Sequence, residues 1–144
     1  MYITCLDVEG VLVPEIWVAF AEETGIPELK KTTRDEPDYD KLMKWRLGIL
    51  KEHGLGLKEI QETIAKINPM PGAKEFLDEL RSMTQVIIIS DTFTQFAGPL
   101  MKKLGYPTIF CNTLEVAEDG EITGFKMRCE KSVSYTHLTL PTIA

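Results

Sequence analysis

The chain has 144 residues, 44% of them hydrophobic, which suits one domain, or a small core carrying an insertion, and argues against wholesale disorder. A formal charge of −6 argues against a sequence-independent nucleic-acid binder, which would need a basic stripe. No apolar run approaches the roughly 18 residues of a membrane span and no signal peptide is evident; Cys5, Cys111 and Cys129 lack metal-ligand spacing and fit a reduced, cytoplasmic protein.

In chain order, Tyr2 to Val8 reads as a buried first strand that runs into Asp7, Glu9 and the strand-breaking Gly10. From Pro14 to about Asn68 the spacing turns helical, with helices predicted over Glu15 to Thr24, Tyr39 to His53 and Leu57 to Ile67. The last of these places Leu57, Ile60, Ile64 and Ile67 on one face. His53 followed by Gly54 reads as a helix C-terminal signal, and Trp17, Phe20 and Trp45 as packing of the helical segment. Pro69-Met70-Pro71-Gly72 is a strong breaker and a predicted hinge. A helix follows over Gly72 to Met83 with Phe76, Leu77, Leu80 and Met83 inward. Gln85 to Ile89 is then a second buried strand ending in Ser90-Asp91-Thr92. Phe93 to Leu104 reads as a helix, Thr108 to Cys111 as a short third strand, and Leu114 to Arg128 as a β-hairpin turning at Asp119-Gly120.

Strands alternating with helices predict an α/β fold built on a Rossmann-like parallel sheet. The stretch of about 55 residues between the first strand and the second strand–helix unit is too long and too helical for a loop. It predicts a helical cap (14–70) inserted into a discontinuous α/β core (1–13 and 71–131).

Asp7 and Glu9 stand at the carboxyl end of a strand, where open α/β sheets place their ligands, and residues two apart on a strand start on one face. Such a pair suits metal-assisted phosphoryl transfer, with one acid as nucleophile and the other as proton shuttle. A strand-end turn with two solvated acids is the plainer alternative. Ser90 follows a β-branched run, so its hydroxyl and the nearby amides can meet a phosphate at the start of the next helix; Ser-Asp-Thr is equally an ordinary helix N-cap. On the second predicted helix, Lys41, Lys44, Gly48 and Lys51 form a polar stripe and Arg46 lies on the opposite, apolar side. An inward guanidinium wants a carboxylate or phosphate partner; a snorkelling arginine is the alternative. Glu15, at the start of the first helix, is well placed to complement the helix dipole.

The block Asp7-Val8-Glu9-Gly10-Val11-Leu12-Val13-Pro14-Glu15, the Ser90-Asp91-Thr92 strand end and the helical insert together resemble the haloacid dehalogenase-like phosphatases. Within them the pattern resembles the phosphoserine phosphatase and phosphoserine:homoserine phosphotransferase branch, over residues 1 to 131. The resemblance implies that Asp7 attacks phosphorus and becomes an aspartyl-phosphate, and that Glu9 protonates the leaving oxygen and later activates water. It implies Mg²⁺ held by the Asp7 carboxylate, the main-chain carbonyl of Glu9 and a later aspartate. It also implies that Ser90 binds phosphate, Asp91 abuts the substrate, Arg46 binds the substrate carboxylate and Glu15 reads its amino group. The substrate would be O-phosphoserine, with homoserine as an acceptor, in serine and threonine metabolism; a homo-oligomer stays open. Most of the superfamily carries aspartate where this chain has Glu9. The rival reading is a phospho-acceptor or binding module, receiver-like, that uses Asp7 without catalysis; the large insert and the inward Arg46 speak against it.

Ser132 to Ala144 could pass for an edge strand, but Val133 to Thr142 (VSYTHLTLPT) resembles one reading frame of a transposon sequencing adapter. The tail (132–144) is therefore expected to be non-native. The lysine that the family places soon after the hairpin falls near Val133, and its acidic metal-binding segment is absent. The chain as written is expected to be an inactive fragment.

Overall fold

The computed structural model describes residues 1–128; the adapter-like tail and Cys129 lie outside the described residues. Four strands form one sheet in the order β1 (Ile3–Leu6), β2 (Gln85–Phe93), β3 (Thr108–Val116) and β4 (Ile122–Lys126). The first three run parallel, with Cys5 opposite Ile87 and Ile88 opposite Ile109; β4 returns antiparallel to β3. The predicted α/β architecture is present. β2 is longer than expected and carries Ser90, Asp91 and Thr92 within it, with a register irregularity between Ile89 and Phe93. β3 has nine residues rather than four, because its second half is the outgoing arm of the hairpin. The hairpin turns through Gly120 at φ +89°, as the Asp-Gly pair predicts.

Between β1 and β2 stand α1 (Ile16–Thr24), a 3-10 turn (Pro27–Lys30), α2 (Tyr39–Glu52), α3 (Leu57–Lys66) and α4 (Ala73–Met83). α1 stops at Gly25, whose left-handed conformation lets its N–H return to the Ala21 carbonyl. α2 ends at His53 and Gly54, as the sequence signals. α3 buries Ile60 and Ile64 completely, so its one-face pattern is realised. The proline-rich segment before α4 passes beside the exit from β1: the Met70 N–H donates to the Leu12 carbonyl at 2.9 Å. The chain therefore leaves and re-enters the sheet at one place.

After β2, α5 (Thr94–Lys103) contains Pro99, which cannot donate to the Gln95 carbonyl one turn earlier. Gln61 of α3 supplies the missing donor, its Nε2 lying 3.0 Å from that oxygen. Lys103 returns the contact by donating to the carbonyls of Ala65 and Ile67 at the C-terminus of α3. The helical insert is thus bonded to α5 at both ends of the α3 contact. It also meets the hairpin tip, where the Leu57 N–H donates to the Gly120 carbonyl at 3.0 Å and Lys51 pairs with Glu121.

Three packing expectations are corrected. Among the described residues β1 lies at one edge of the sheet; Tyr2 and Ile3 are exposed and Thr4, Cys5 and Leu6 only half-buried, so the strand is not the buried one expected. Of the four inward residues predicted on α4, Leu77 is buried and Leu80 half-buried, whereas Phe76 and Met83 are exposed; the helix meets the sheet along a stripe narrower than its apolar face. Trp45 does not pack inside the helical segment: it is 37% exposed, with the Lys31 ammonium over its ring.

Candidate active site

The strand β1 ends at Leu6, and Asp7 to Val13 form a compact turn rather than more strand. The Val8 carbonyl accepts from the N–H groups of Val11, Leu12 and Val13, and the Gly10 N–H donates to the Val13 carbonyl at 2.7 Å. Gly10 stands at φ +74°, a conformation glycine tolerates without strain. Val8 is buried beneath the turn, and Asp7 and Glu9 on either side of it reach the same cleft. The predicted shared face exists, but the turn creates it rather than strand alternation.

The cleft holds about 630 Å³. The strand-end side carries Asp7, Glu9, Ser90 and Asp91; the insert contributes Glu15, Trp17, Thr32, Thr33, Arg34, Tyr39 and Arg46. All six residues singled out in the sequence line this one cleft.

The two acids of the turn differ in surroundings. Asp7 is exposed at the cleft surface, and its Oδ1 accepts from the Val8 N–H at 2.7 Å. Partial burial raises its pKa, against the opposing hydrogen bonds from the Val8 N–H and the Ser90 side chain. Glu9 is half-buried and its Oε1 accepts from the Ile16 N–H, the first residue of α1, at 2.8 Å. Desolvation pushes Glu9 up to about 7, opposed by the Ile16 bond and Arg46 and reinforced by Glu15 and Asp7. Glu15 is exposed at the N-terminus of α1 and makes no capping hydrogen bond through its side chain.

Ser90 is buried, and its Oγ accepts from the Thr92 N–H at 3.2 Å. The helix-cap reading of Ser90 to Thr92 is not realised, because α5 begins only at Thr94, with Phe93 at its N-cap. The neighbouring Asp91 carbonyl receives two donors, the Tyr39 hydroxyl at 2.9 Å and Asn112 Nδ2 at 3.2 Å. Tyr39 therefore ties the insert to the strand end, and burial raises its own pKa further, with Asp91 adding to the effect.

Arg46 faces inward as predicted and is 95% buried by the complement of its 5% exposure. Among the described residues it makes no ion pair with a carboxylate. Its Nη2 donates to the Lys31 carbonyl at 2.8 Å, its Nη1 faces Met43 Sδ, and its guanidinium lies 4.6 Å from the centre of the Trp17 ring. Burial brings its pKa down to about 10, which still leaves it charged near neutrality, with Tyr39, Glu9 and Glu15 opposing the drop. Arg46 Nε and Thr92 Oγ1 are buried with no hydrogen-bond partner among the described residues. Buried polar atoms are seldom left so.

With this geometry in place, likeness to known proteins becomes informative. No protein-family model matches the chain. Over 128 residues it is 59% identical to phosphoserine phosphatase ThrH of Pseudomonas aeruginosa, a match covering 89% of this chain and 62% of that protein. The solved phosphoserine phosphatase from T. onnurineus in complex with NDSB-201 shares the fold at TM-score 0.69 and 28% identity, over 88% of this chain and 64% of that one. The chain belongs to the phosphoserine phosphatase branch of the haloacid dehalogenase-like superfamily. A second solved structure, a phospho-aspartyl intermediate analogue of phosphoserine phosphatase, matches at TM-score 0.66 and 26% identity, over 87% of this chain and 61% of that one. The chain spans less than two thirds of the length of each of these relatives.

Within this haloacid dehalogenase-like cleft, the residues missed in the sequence are Trp17, read there as packing alone, with Val18, Thr32, Thr33, Arg34 and Tyr39. Tyr39 is seven residues before Arg46, two helical turns along the same face, so helical spacing could have found it. The segment 32–34 is non-helical and carries no periodic signal.

Metal fit can be judged from the donors. The cleft offers oxygen ligands only, the kind Mg²⁺ prefers, and Mg²⁺ commonly binds through one or two carboxylates plus substrate phosphate and water. Among the described residues no group of three His, Cys, Asp or Glu side chains gathers as a metal cage. The cleft residues therefore fit Mg²⁺ in that sparse manner, through Asp7. Four carboxylates against two guanidiniums in the lining also leave it net negative, which favours a cation before an anionic substrate enters.

Proposed function

We propose that this cleft binds O-phosphoserine and serves phosphoryl transfer through an aspartyl-phosphate on Asp7, as the name of the phospho-aspartyl relative suggests. The observation that carries the reading is the placement of two unlike carboxyls, Asp7 and Glu9, in one cleft with buried Ser90 and with an inward, unsaturated Arg46. In this reading residues 14–70 act as a cap over a core made of 1–13 and 71–131.

The Asp7 carboxylate attacks phosphorus while the bond from phosphorus to the serine oxygen breaks. That oxygen leaves with the bonding pair and takes the proton of Glu9, releasing serine. Water then attacks the aspartyl-phosphate and gives its proton to the Glu9 carboxylate, and phosphate leaves as Asp7 is restored. A group near pKa 7 suits a residue that must both give and accept a proton near neutrality. Ser90 receives the phosphate, Arg46 the substrate carboxylate and Glu15 its amino group, with Asp91 against the substrate. Mg²⁺, held by the Asp7 carboxylate and the Glu9 main-chain carbonyl, would offset the repulsion between a carboxylate nucleophile and a phosphate dianion.

The same intermediate could pass its phosphoryl group to homoserine, since Glu9 is one methylene longer than aspartate and would position water differently. The transfer-to-hydrolysis ratio with homoserine present, in an intact relative and its Glu9→Asp variant, tests this; an unchanged ratio rejects it. A cytoplasmic setting in amino-acid metabolism accords with the acidic, cysteine-poor composition.

No lysine among the described residues lines the cleft, so the charge on a transferring phosphoryl group would lie poorly compensated there. Calorimetric titration of O-phospho-L-serine with magnesium chloride should therefore show saturable binding, while phosphate release stays at the level of an Asp7→Asn control. Absence of binding overturns the assignment of the cleft. Magnesium-dependent turnover abolished by Asp7→Asn upholds the chemistry and overturns the expected inactivity.

A further inference from the structure

We propose that Arg34 is a specificity-determining residue, a second guanidinium that reads the substrate carboxylate from the outer lip of the cleft; this rests on the phosphoserine reading of the site. Arg34 lines the cleft on a short turn of the insert, and it is exposed. Its side chain has no hydrogen-bond or ion-pair partner among the described residues, unlike the other cleft arginine.

The turn that carries it is built to hold a shape. Asp35 Oδ2 accepts from both the N–H and the hydroxyl of Thr32, at 2.8 and 3.3 Å. The Asp35 and Glu36 N–H groups donate to the Thr32 carbonyl, and the Arg34 N–H donates to Thr32 Oγ1 at 3.3 Å. At its base, the Lys31 carbonyl takes the hydrogen bond from buried Arg46 Nη2. Arg46 thus anchors the turn from inside the cleft, while its Nε remains buried with no hydrogen-bond partner among the described residues.

Charge gives the direction. Arg34 lines the cleft from an exposed turn of the insert, whereas Asp7, Glu9 and Ser90 line it from the strand-end side. Phosphate belongs near Asp7 and Ser90. The anionic group left for the outer end of phosphoserine is its carboxylate, which a planar guanidinium matches better than an ammonium. Without Arg34 that carboxylate would enter a lining of four acids opposed by Arg46 alone.

The test is calorimetric titration of O-phospho-L-serine and of O-phosphoethanolamine, which lacks only the carboxylate, into the whole chain with magnesium chloride. Parent, Arg34→Gln and Arg34→Lys are compared after their unfolding midpoints have been matched. Arg34→Gln should weaken O-phospho-L-serine about tenfold and leave O-phosphoethanolamine within about twofold, with Arg34→Lys between. An unchanged affinity for O-phospho-L-serine, or an equal loss for both ligands, overturns the assignment to Arg34 alone. If the parent binds neither ligand, the phosphoserine reading falls and this proposal falls with it.

Discussion

Alanine at Gly56 should lower stability by about 2 kcal/mol, although the backbone there, at φ −127°, accepts any residue. The obstacle is across the interface. A Cβ at Gly56 would lie 2.6 Å from the Gly120 carbonyl oxygen and 3.2 Å from its carbon, against an ordinary contact of about 3.5 Å. That oxygen cannot simply swing aside, because it accepts from the Leu57 N–H at 3.0 Å. Relief requires the α2–α3 turn and the hairpin tip to separate by about 1 Å. The separation strains a packed contact at about 1–3 kcal/mol and weakens a backbone hydrogen bond worth about 1 kcal/mol. The reduced freedom of the unfolded chain returns up to about 1 kcal/mol. The exposed Lys51–Glu121 pair at the rim adds little. Gly48, in the middle of α2, is the control: nothing lies within 4 Å of its would-be Cβ, so Gly48→Ala should stabilise by about 0.5–1 kcal/mol. Urea unfolding with comparable slopes measures both. A Gly56→Ala variant as stable as the parent, or one that shifts in the same direction as Gly48→Ala, would refute the idea that the hairpin clasps the insert here.

Three other outcomes follow from named contacts. Glu9 ionises near 7 in the fold against an ordinary 4.5, so the native state keeps its proton to higher pH than the unfolded chain. Its contribution is neutral below about pH 4.5, becomes increasingly unfavourable as pH rises to 7, and is constant above. Glu9→Gln, which retains an acceptor for the Ile16 N–H, should match the parent at pH 4 and exceed it by about 2 kcal/mol at pH 8; a gain independent of pH counts against this. Arg46→Met should stay within about 1 kcal/mol of the parent, because the buried guanidinium has no ion pair to lose, while O-phospho-L-serine binding disappears in titration. A stability loss above about 3 kcal/mol would instead make Arg46 chiefly a structural support. Gln95 stitches α5 to β3 by donating to the Leu114 carbonyl at 2.8 Å and accepting from its N–H at 3.0 Å. Gln95→Ala should cost about 2 kcal/mol in the same unfolding assay, and a loss below about 0.5 kcal/mol would show that water replaces both bonds.

Periodicity revealed what depends on a single element. The spacing of Ile60, Ile64 and Ile67 announced α3 and its buried face, and the lysine stripe on α2 correctly turned Arg46 inward. What periodicity cannot contain is the partner. An inward arginine asks for a carboxylate or phosphate without saying which residues will hold it in place; within the fold its guanidinium meets a carbonyl from Lys31 and the face of Trp17, residues 15 and 29 positions away in the chain. The same gap explains β1: its apolar run looks like a buried strand, and only the sheet order places it at an edge among the described residues, with Ile3 exposed. Ser90 shows a boundary error with chemical consequence. Its hydroxyl was expected near a helix start, but β2 continues to Phe93 and makes Ser90 a buried strand residue bonded to the Thr92 N–H. Arg34 left no trace because its position is fixed by hydrogen bonds within a turn of four residues, not by any repeat.

The pair of acids after β1 also gains a division of labour that their one-letter spacing does not contain. Asp7 is open to the cleft; partial burial raises its pKa, while the Val8 N–H and Ser90 oppose the rise by favouring the ionised form that a nucleophile needs. Glu9, one buried residue further on, is withdrawn from water and close to Glu15 and Asp7, so it holds a proton near neutrality. Burial raises both carboxyls, but Glu9 lacks the second hydrogen bond that opposes the rise at Asp7 and has two acids beside it. Unlike environments are the usual physical basis for assigning one carboxyl as nucleophile and the other as acid. Glu9 Oε1 is occupied by the N–H of Ile16, which leaves the second oxygen to carry the exchanged proton. Because Ile16 is the first residue of α1, a shift of the insert that lengthened this bond would remove an interaction that favours the charged form and raise the Glu9 pKa further. Under the proposed chemistry, the position of the helical insert and the proton inventory of the cleft are therefore coupled through one backbone hydrogen bond.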